Sequence, residues 1–257
     1  MSRLPTLFIS HGSPMLALDA GAVGRSWDEL ARSLPQVRAV LIASAHWHVP
    51  GSAVTAHPSP ETIHDFRGFP PALYALRYPA PGDPALAEQV LQLLRQHGFA
   101  AHSDPVRGLD HGAWVPLQVM YPQADVPVVQ LALDMRQGPA WHETLGQALA
   151  ALRDEQVLII GSGSLTHNLQ DVFNPMDEPL DYVAPFQAWM HDHLVRGERQ
   201  ALLDYRRHAP QAARAHPTEE HLLPLFVALG AAHGDPARRL YDKVSDRALA
   251  MDLYRFG

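Results

Sequence analysis

Sixteen of the 257 residues are histidine, and several of them fall where short apolar runs stop. His11 follows Leu7-Phe8-Ile9-Ser10 and precedes Gly12-Ser13-Pro14. His46 follows Leu41-Ile42-Ala43-Ser44-Ala45 and precedes Trp47, and His167 comes soon after Val157-Leu158-Ile159-Ile160, in Gly163-Ser164-Leu165-Thr166-His167-Asn168. Neutral imidazole is a ligand for zinc, iron, copper and nickel, and it exchanges protons near neutral pH. A lone histidine in such a place more often caps an element or sits buried and satisfied. Three delivered to strand ends can converge, because ligands of open α/β sheets bind beyond the carboxyl ends of the strands. From the residues alone, a metal centre and an acid–base site both remain open. His221, in Thr218-Glu219-Glu220-His221-Leu222-Leu223-Pro224, is expected in the first turn of a helix. His111 lies in Asp110-His111-Gly112-Ala113-Trp114 and His64 in Ile63-His64-Asp65-Phe66.

Other signals carry less. His191 and His193 are two apart on a predicted helix and do not share a face. His97, His102, His208, His216 and His233 fall at element ends or in polar segments and are expected to be solvated. His142-Glu143 begins like a zinc-protease motif, but Gly146 stands where the second histidine is required. Gly161-Ser162-Gly163-Ser164 after a strand has the look of a phosphate cradle, yet Thr166 replaces the third fingerprint glycine and the P-loop lysine is missing. Neither Ser13 nor Ser162 has the glycine spacing of a nucleophile elbow.

The elements that must position these groups alternate between strand and helix. Leu4–Ser10, Ala39–Ala45, Val126–Leu133 and Val157–Ile160 read as short buried strands. Ser26–Leu34 reads as a helix with Ser26 as N-cap, and Pro84–His97 as the clearest helix, closed by Gly98. Pro139–Arg153, Leu180–Arg207 and Thr218–Ala232 are also predicted helical, and Arg239–Val244 with Ala248–Arg255 a closing pair of strands. The pattern predicts an α/β fold with a mixed sheet covered by helices on both faces. The proline-rich stretch from Pro58 to Pro84 carries Ile63, Phe66, Phe69, Leu73 and Tyr74, too apolar for a tether, and is expected to be an ordered loop over the sheet.

Composition narrows the function classes. The net charge of -7 argues against a nucleic-acid surface. The absence of cysteine removes disulfides, thiolate metal sites and cysteine nucleophiles, and fits a reducing cytoplasm. The lead-in Met1–Pro5 and the short apolar run after it do not read as a signal peptide, and no stretch approaches the roughly 18 to 20 apolar residues of a membrane span.

In chain order, His11-Gly12-Ser13-Pro14-Met15, Ser44-Ala45-His46-Trp47, Ile63-His64-Asp65-Phe66, Gly68-Phe69-Pro70, Tyr78-Pro79-Ala80-Pro81-Gly82, Asp110-His111-Gly112 and Thr166-His167-Asn168 resemble the class III extradiol ring-opening dioxygenases. Within them the sequence is most similar to the DOPA-dioxygenase type of plants and bacteria, and the likeness runs from residue 11 to Pro224. The resemblance implies one α/β catalytic domain over residues 1–257, like the catalytic subunit of protocatechuate dioxygenase. It implies a nonheme metal, iron(II) for activity, with zinc(II) readily held. It carries the metal positions onto His11, His46, His167 and His221, and acid–base roles onto His111 and His167. Ser13, His64 and Phe66 are expected to line the substrate pocket. The implied partners are a small catechol, DOPA-like or caffeate-like, and dioxygen, with no nucleic acid and no membrane. The wider superfamily uses two histidines and a carboxylate, whereas this chain offers His221, with Glu219 and Glu220 expected to point away from it. The same histidines suit two other readings, a zinc-dependent hydrolase on this scaffold and a non-enzymatic metal- or small-molecule-binding protein.

Overall fold

Leucine- and β-branched-rich runs form the strands, and alternate side chains of each strand enter different cores because successive residues point to opposite faces. The computed structural model describes residues 3–173 and 180–257; Met1 and Ser2 of the lead-in lie outside them. Along the chain come β1 (Thr6–Ser10), α1 (Gly21–Ser33), β2 (Ala39–His48), β3 (Ser52–Thr55), α2 (Pro71–Ala75), α3 (Pro84–Gln96), β4 (Ala101–Asp104), α4 (His111–Met120) and β5 (Val128–Leu133). They are followed by α5 (Pro139–Leu149), β6 (Val157–Gly163), α6 (Leu169–Val172), α7 (Val183–Arg196), α8 (Arg199–Leu203), α9 (Tyr205–His208), α10 (Ala212–Ala215) and α11 (Leu223–Ala232). The chain closes with β7 (Ala237–Tyr241), β8 (Val244–Ser245), β9 (Leu249–Ala250) and β10 (Leu253–Phe256).

Eight strands form one sheet in the order β4-β3-β5-β2-β6-β1-β10-β7, and β8 pairs with β9 apart from it. β1, β6, β2 and β5 are mutually parallel, so their carboxyl ends share one edge. β10 runs antiparallel to β1 and β7, which makes the sheet mixed. Leu7, Ile9, Val40, Ile42, Leu158 and Ile160 pack on one face with Trp27 of α1 and Trp114 of α4. Leu41, Val129, Val157 and Ile159 pack on the other with α3, α5 and α11. The expected single α/β domain with a mixed sheet covered on both sides is the observed one.

The differences from expectation have local causes. Ser26 is not the N-cap of α1; the helix begins at Gly21, whose N–H donates to Asp19 at 3.1 Å, and Ser26 Oγ instead donates to the Val23 carbonyl at 2.6 Å. The predicted helix over 180–207 breaks at Gly197, which takes the left-handed conformation (φ 66°) and ends α7. Gly161 and Gly163 belong to β6 and form no phosphate cradle. A Cβ on Gly161 would collide with the Pro224 carbonyl, and one on Gly163 with the His221 carbonyl, so these glycines let the start of α11 lie against the strand. β3, β4 and α2 are too short to declare themselves in the sequence. The proline-rich stretch is ordered: Thr62 bridges to Leu109, and Trp114 Nε1 donates to the Ile63 carbonyl at 2.9 Å.

One buried acid gives the fold a pH signature. Asp252 is fully buried beside β10; Gln187 Nε2 donates to its Oδ2 at 2.6 Å, and Arg239 stands 3.7 Å from its Oδ1. Burial outweighs both and pushes the carboxyl up to about 7. A folded value above the unfolded one near 4 means that this group's stability contribution is full at low pH and is lost as pH rises through about 7. Asp252→Asn removes that titration. The Tm of the variant relative to wild type is expected to climb between pH 4 and 7 and to level off above pH 8. The rise corresponds to at most about 1.4 kcal/mol per pH unit, each kcal/mol moving Tm by about 2–4 °C. Thermal melts across this range measure it, and a difference that does not vary with pH contradicts the assignment.

Candidate active site

The shared carboxyl edge of the parallel strands collects the histidines. β1 ends at Ser10, and His11 follows with its N–H donating to the Gly163 carbonyl at 2.9 Å. His46 is near the end of β2, on the same edge. His221 lies two residues before α11, not in its first turn, and the Ser164 N–H holds its carbonyl at 2.8 Å. His111 opens α4, whose N-cap Asp110 is completely buried. The Asp110 carboxylate accepts from Ser44 Oγ at 2.6 Å, from Arg107 Nη2 at 3.2 Å and from Gln130 Nε2. Those bonds tie the start of α4 to β2 and β5 and so aim His111 at the strand ends.

His11, His46 and His221 come together with ring centroids 5.0, 5.5 and 4.9 Å apart, and one nitrogen of each lies within 4.8 Å of the others. Nδ1 of His11 and of His221 is hydrogen-bonded to an acceptor, and that of His46 stands near a carboxylate. Ser162 Oγ donates its only hydrogen to the Gly112 carbonyl, so it accepts from His11 Nδ1 at 3.0 Å. Glu220 Oε1 is 3.1 Å from His221 Nδ1, and Asp65 Oδ2 is 3.6 Å from His46 Nδ1. Nε2 of His11 and of His221 is thereby left with a lone pair, and the Nε2 atoms of His11 and His46 face each other at 3.0 Å. A hydrogen on one of these atoms makes the contact a hydrogen bond, and a cation in its place would draw on both lone pairs. Ligand distances of about 2.0–2.1 Å place neighbouring nitrogens roughly 2.9–3.4 Å apart, so the residues fit a bound metal ion. Burial is the main cause that lowers the pKa of all three, His46 to about 3, which keeps them unprotonated as ligands must be.

His167 stands apart from this trio. Its ring stacks on that of His221 at 3.4 Å and 11°, and in-plane lone pairs of parallel rings do not converge on one point. The expectation that His167 joins His221 as a ligand is therefore not what the geometry favours. Burial lowers His167 to about 4 against the opposing pull of Glu220, whose Oε1 is 3.9 Å from Nδ1. His111 lies 4.0 Å from His46 between ring centroids, with its Nδ1 3.0 Å from Asp65 Oδ2, close but poorly aligned.

These groups line a cleft of about 590 Å³. Phe66 and Phe69, edge to face at 5.3 Å, form one wall, while Leu169, Val172 and Phe173 form another. Ser13 is on the rim, its Oγ accepting from the Met15 N–H. His64 is not part of the lining. It sits behind Phe66, 5.6 Å between centroids, and also packs against Trp114, so it supports the aromatic wall rather than touching the cleft.

Four residues escaped sequence reasoning. Glu220 points toward His221 and His167, not away, because the segment is a turn and not the helical start that was expected. Asp65 is visible inside Ile63-His64-Asp65-Phe66 but unassigned, and Ser162 is read only as part of a phosphate cradle and as a nucleophile. His216, expected to be solvated, is fully buried with Nε2 2.8 Å from the Leu165 carbonyl.

The family model described as the catalytic LigB subunit of aromatic ring-opening dioxygenase matches residues 5–256. The chain is 42% identical over 237 residues to a 4,5-DOPA dioxygenase extradiol of Escherichia coli (strain K12), covering 91% of this chain and 87% of the relative. It is equally 42% identical, over 257 residues, to the protein of the same name from Beta vulgaris, with 98% and 96% covered. Among solved structures, an uncharacterized protein from Escherichia coli K12 superposes with a TM-score of 0.84 at 36% identity, spanning 99% of this chain and all of that one. With a histidine cluster at the strand ends and a match across almost its whole length, the chain belongs to the LigB family of metal-dependent aromatic ring-opening dioxygenases, among those of the extradiol DOPA-dioxygenase type.

Proposed function

We propose that this extradiol dioxygenase opens the ring of a catechol, DOPA-like or caffeate-like, at an iron(II) ion held by His11, His46 and His221. The observation that carries the reading is that His11, His46 and His221 bring one ring nitrogen each within 4.8 Å of the others at the strand edge, with Nδ1 of His11 and His221 held by acceptors. Zinc(II) is expected to occupy the same nitrogens in protein purified without iron. When bound, iron supplies Lewis acidity toward two vicinal oxygens and redox chemistry toward dioxygen. Three protein ligands leave room for both molecules, as in other nonheme iron sites.

The chain's own residues do the rest. His167, held neutral by burial, accepts a catechol proton in the cleft. His111, beside Asp65, takes the other catechol proton on Nε2 and returns it as the ring opens. Phe66 and Phe69 hold the flat ring and exclude water, with His64 behind them, while Ser13 offers a hydroxyl at the rim. The zinc-hydrolase reading has no support from the family. We place the protein in the cytoplasm as one catalytic domain over 1–257, which a cysteine-free sequence fits. No helix among the described residues is long and apolar enough to cross a membrane.

Replacing His11, His46 or His221 by Ala is expected to remove most bound metal while the fold survives on its large core. His111→Ala and His167→Ala are expected to keep the metal and to lose about 10²- to 10⁴-fold in turnover. Elemental analysis and steady-state rates separate the two groups, and full metal occupancy in two of the three ligand variants contradicts the assignment.

The iron-loaded protein under reducing conditions is expected to consume one dioxygen per catechol and to yield a yellow ring-opened semialdehyde. A monophenol, or a catechol with one hydroxyl methylated, cannot chelate through two oxygens and is expected not to react. Oxygen-electrode traces and product spectra decide this. The absence of uptake across a broad catechol panel overturns the proposal.

A further inference from the structure

We propose that Asp65 is a positioning residue shared by a metal ligand and the acid–base histidine: one carboxylate sets the tautomers of His46 and His111 together. The inference rests on the ligand and proton-transfer roles given above and adds a residue to which none has been assigned.

Asp65 lies in the ordered proline-rich segment between β3 and α2. Its Oδ1 accepts from the backbone N–H of His111 at 2.9 Å, which fixes the carboxylate at the first residue of α4. Its Oδ2 is 3.0 Å from Nδ1 of His111 and 3.6 Å from Nδ1 of His46. Two imidazoles thus turn the same nitrogen toward one oxygen, with their rings 4.0 Å apart. A carboxylate only accepts; here it takes the His111 backbone N–H in a hydrogen bond, while the two Nδ1 atoms stand beside its Oδ2 at ion-pair distance, that of His111 poorly aligned. With both Nδ1 hydrogens drawn to Asp65, each ring keeps a lone pair on Nε2. On His46 that atom faces His11 Nε2, where the metal is held; on His111 it is the atom left for proton exchange in the cleft.

Asparagine breaks this arrangement without changing the shape. Its amide oxygen can stay with the His111 N–H, but its NH₂ group then donates toward the imidazoles and demands a lone pair on Nδ1. At least one ring must move its hydrogen to Nε2, the atom that has to be free.

The test uses zinc-loaded wild type and Asp65→Asn, with folding checked by circular dichroism. Chelator competition is expected to show zinc bound about 10- to 100-fold more weakly in the variant, the usual effect of losing a ligand's hydrogen-bond partner. Nitrogen-15 NMR of the imidazoles is expected to place hydrogen on Nδ1 of both His46 and His111 in wild type, and on Nε2 of at least one in the variant. In iron-loaded protein, Asp65→Asn is expected to lower kcat in a wild-type background but to add no further loss in the His111→Ala background, where weakened metal binding persists. The wild-type NMR pattern tests the claim even if the variant fails to fold: Nε2–H on either ring overturns it. Zinc affinity within twofold of wild type with unchanged tautomers also overturns it. So does a stoichiometry of two ions falling to one in Asp65→Asn, which makes the carboxylate a ligand of a second metal. If His11→Ala retains its metal, the ligand assignment itself has failed; if it loses metal while Asp65→Asn does not, only the role of Asp65 has.

Discussion

A neutral imidazole has two nitrogens and one hydrogen, and the chemistry of this cleft depends on which nitrogen carries it. A metal ligand must present a lone pair, so the hydrogen has to be held on the far side of the ring by an acceptor. The protein provides the Ser162 hydroxyl for His11 and the Glu220 carboxylate for His221, and it sets the Asp65 carboxylate 3.6 Å from Nδ1 of His46. The serine is the subtlest, because a hydroxyl can play either part; its own hydrogen is committed to the Gly112 carbonyl, which leaves it only the accepting role toward His11. Burial then prevents the rings from taking a second proton.

The fold serves that requirement through closeness. Four parallel strands bring His11 and His46 to one edge, and two strand glycines allow the turn carrying His221 to press against β6. The helix that carries His111 is pinned by Asp110, a buried charge with donors on Ser44, Arg107 and Gln130. Such a group is costly to bury unless fully paired, and here the pairing fixes where α4 begins. The same residues that satisfy the core therefore set the positions of the reactive rings.

Much of this was legible beforehand. Apolar runs identified β1, β2, β5 and β6, and the histidines at their ends marked the cleft. The helix over 84–96 was readable because a proline start, a leucine stripe and a terminal glycine agree. What escaped notice depended on long-range contacts. Ser162 looked like part of a glycine-rich loop because the sequence does not show that α11 packs on the strand. Glu220 reads on the wrong side because the sequence places the helix start at Thr218, five residues before α11 begins, and a turn in place of a helix reverses the direction of a side chain. His216 was expected in water because nothing local reveals that the Leu165 carbonyl covers it. The role of His167 was ambiguous in the sequence, since position at a strand end does not give ring orientation.

The central claim, one ion held by three Nε2 atoms with His167 outside the set, is tested most directly by an anomalous-difference map of iron-loaded crystals grown without oxygen. The account predicts a single iron bonded to Nε2 of His11, His46 and His221 at about 2.0–2.2 Å, with two or three further positions open and His167 not bonded. An iron bound through Nδ1 of any of these rings, or bound by His167 in place of one of them, contradicts it.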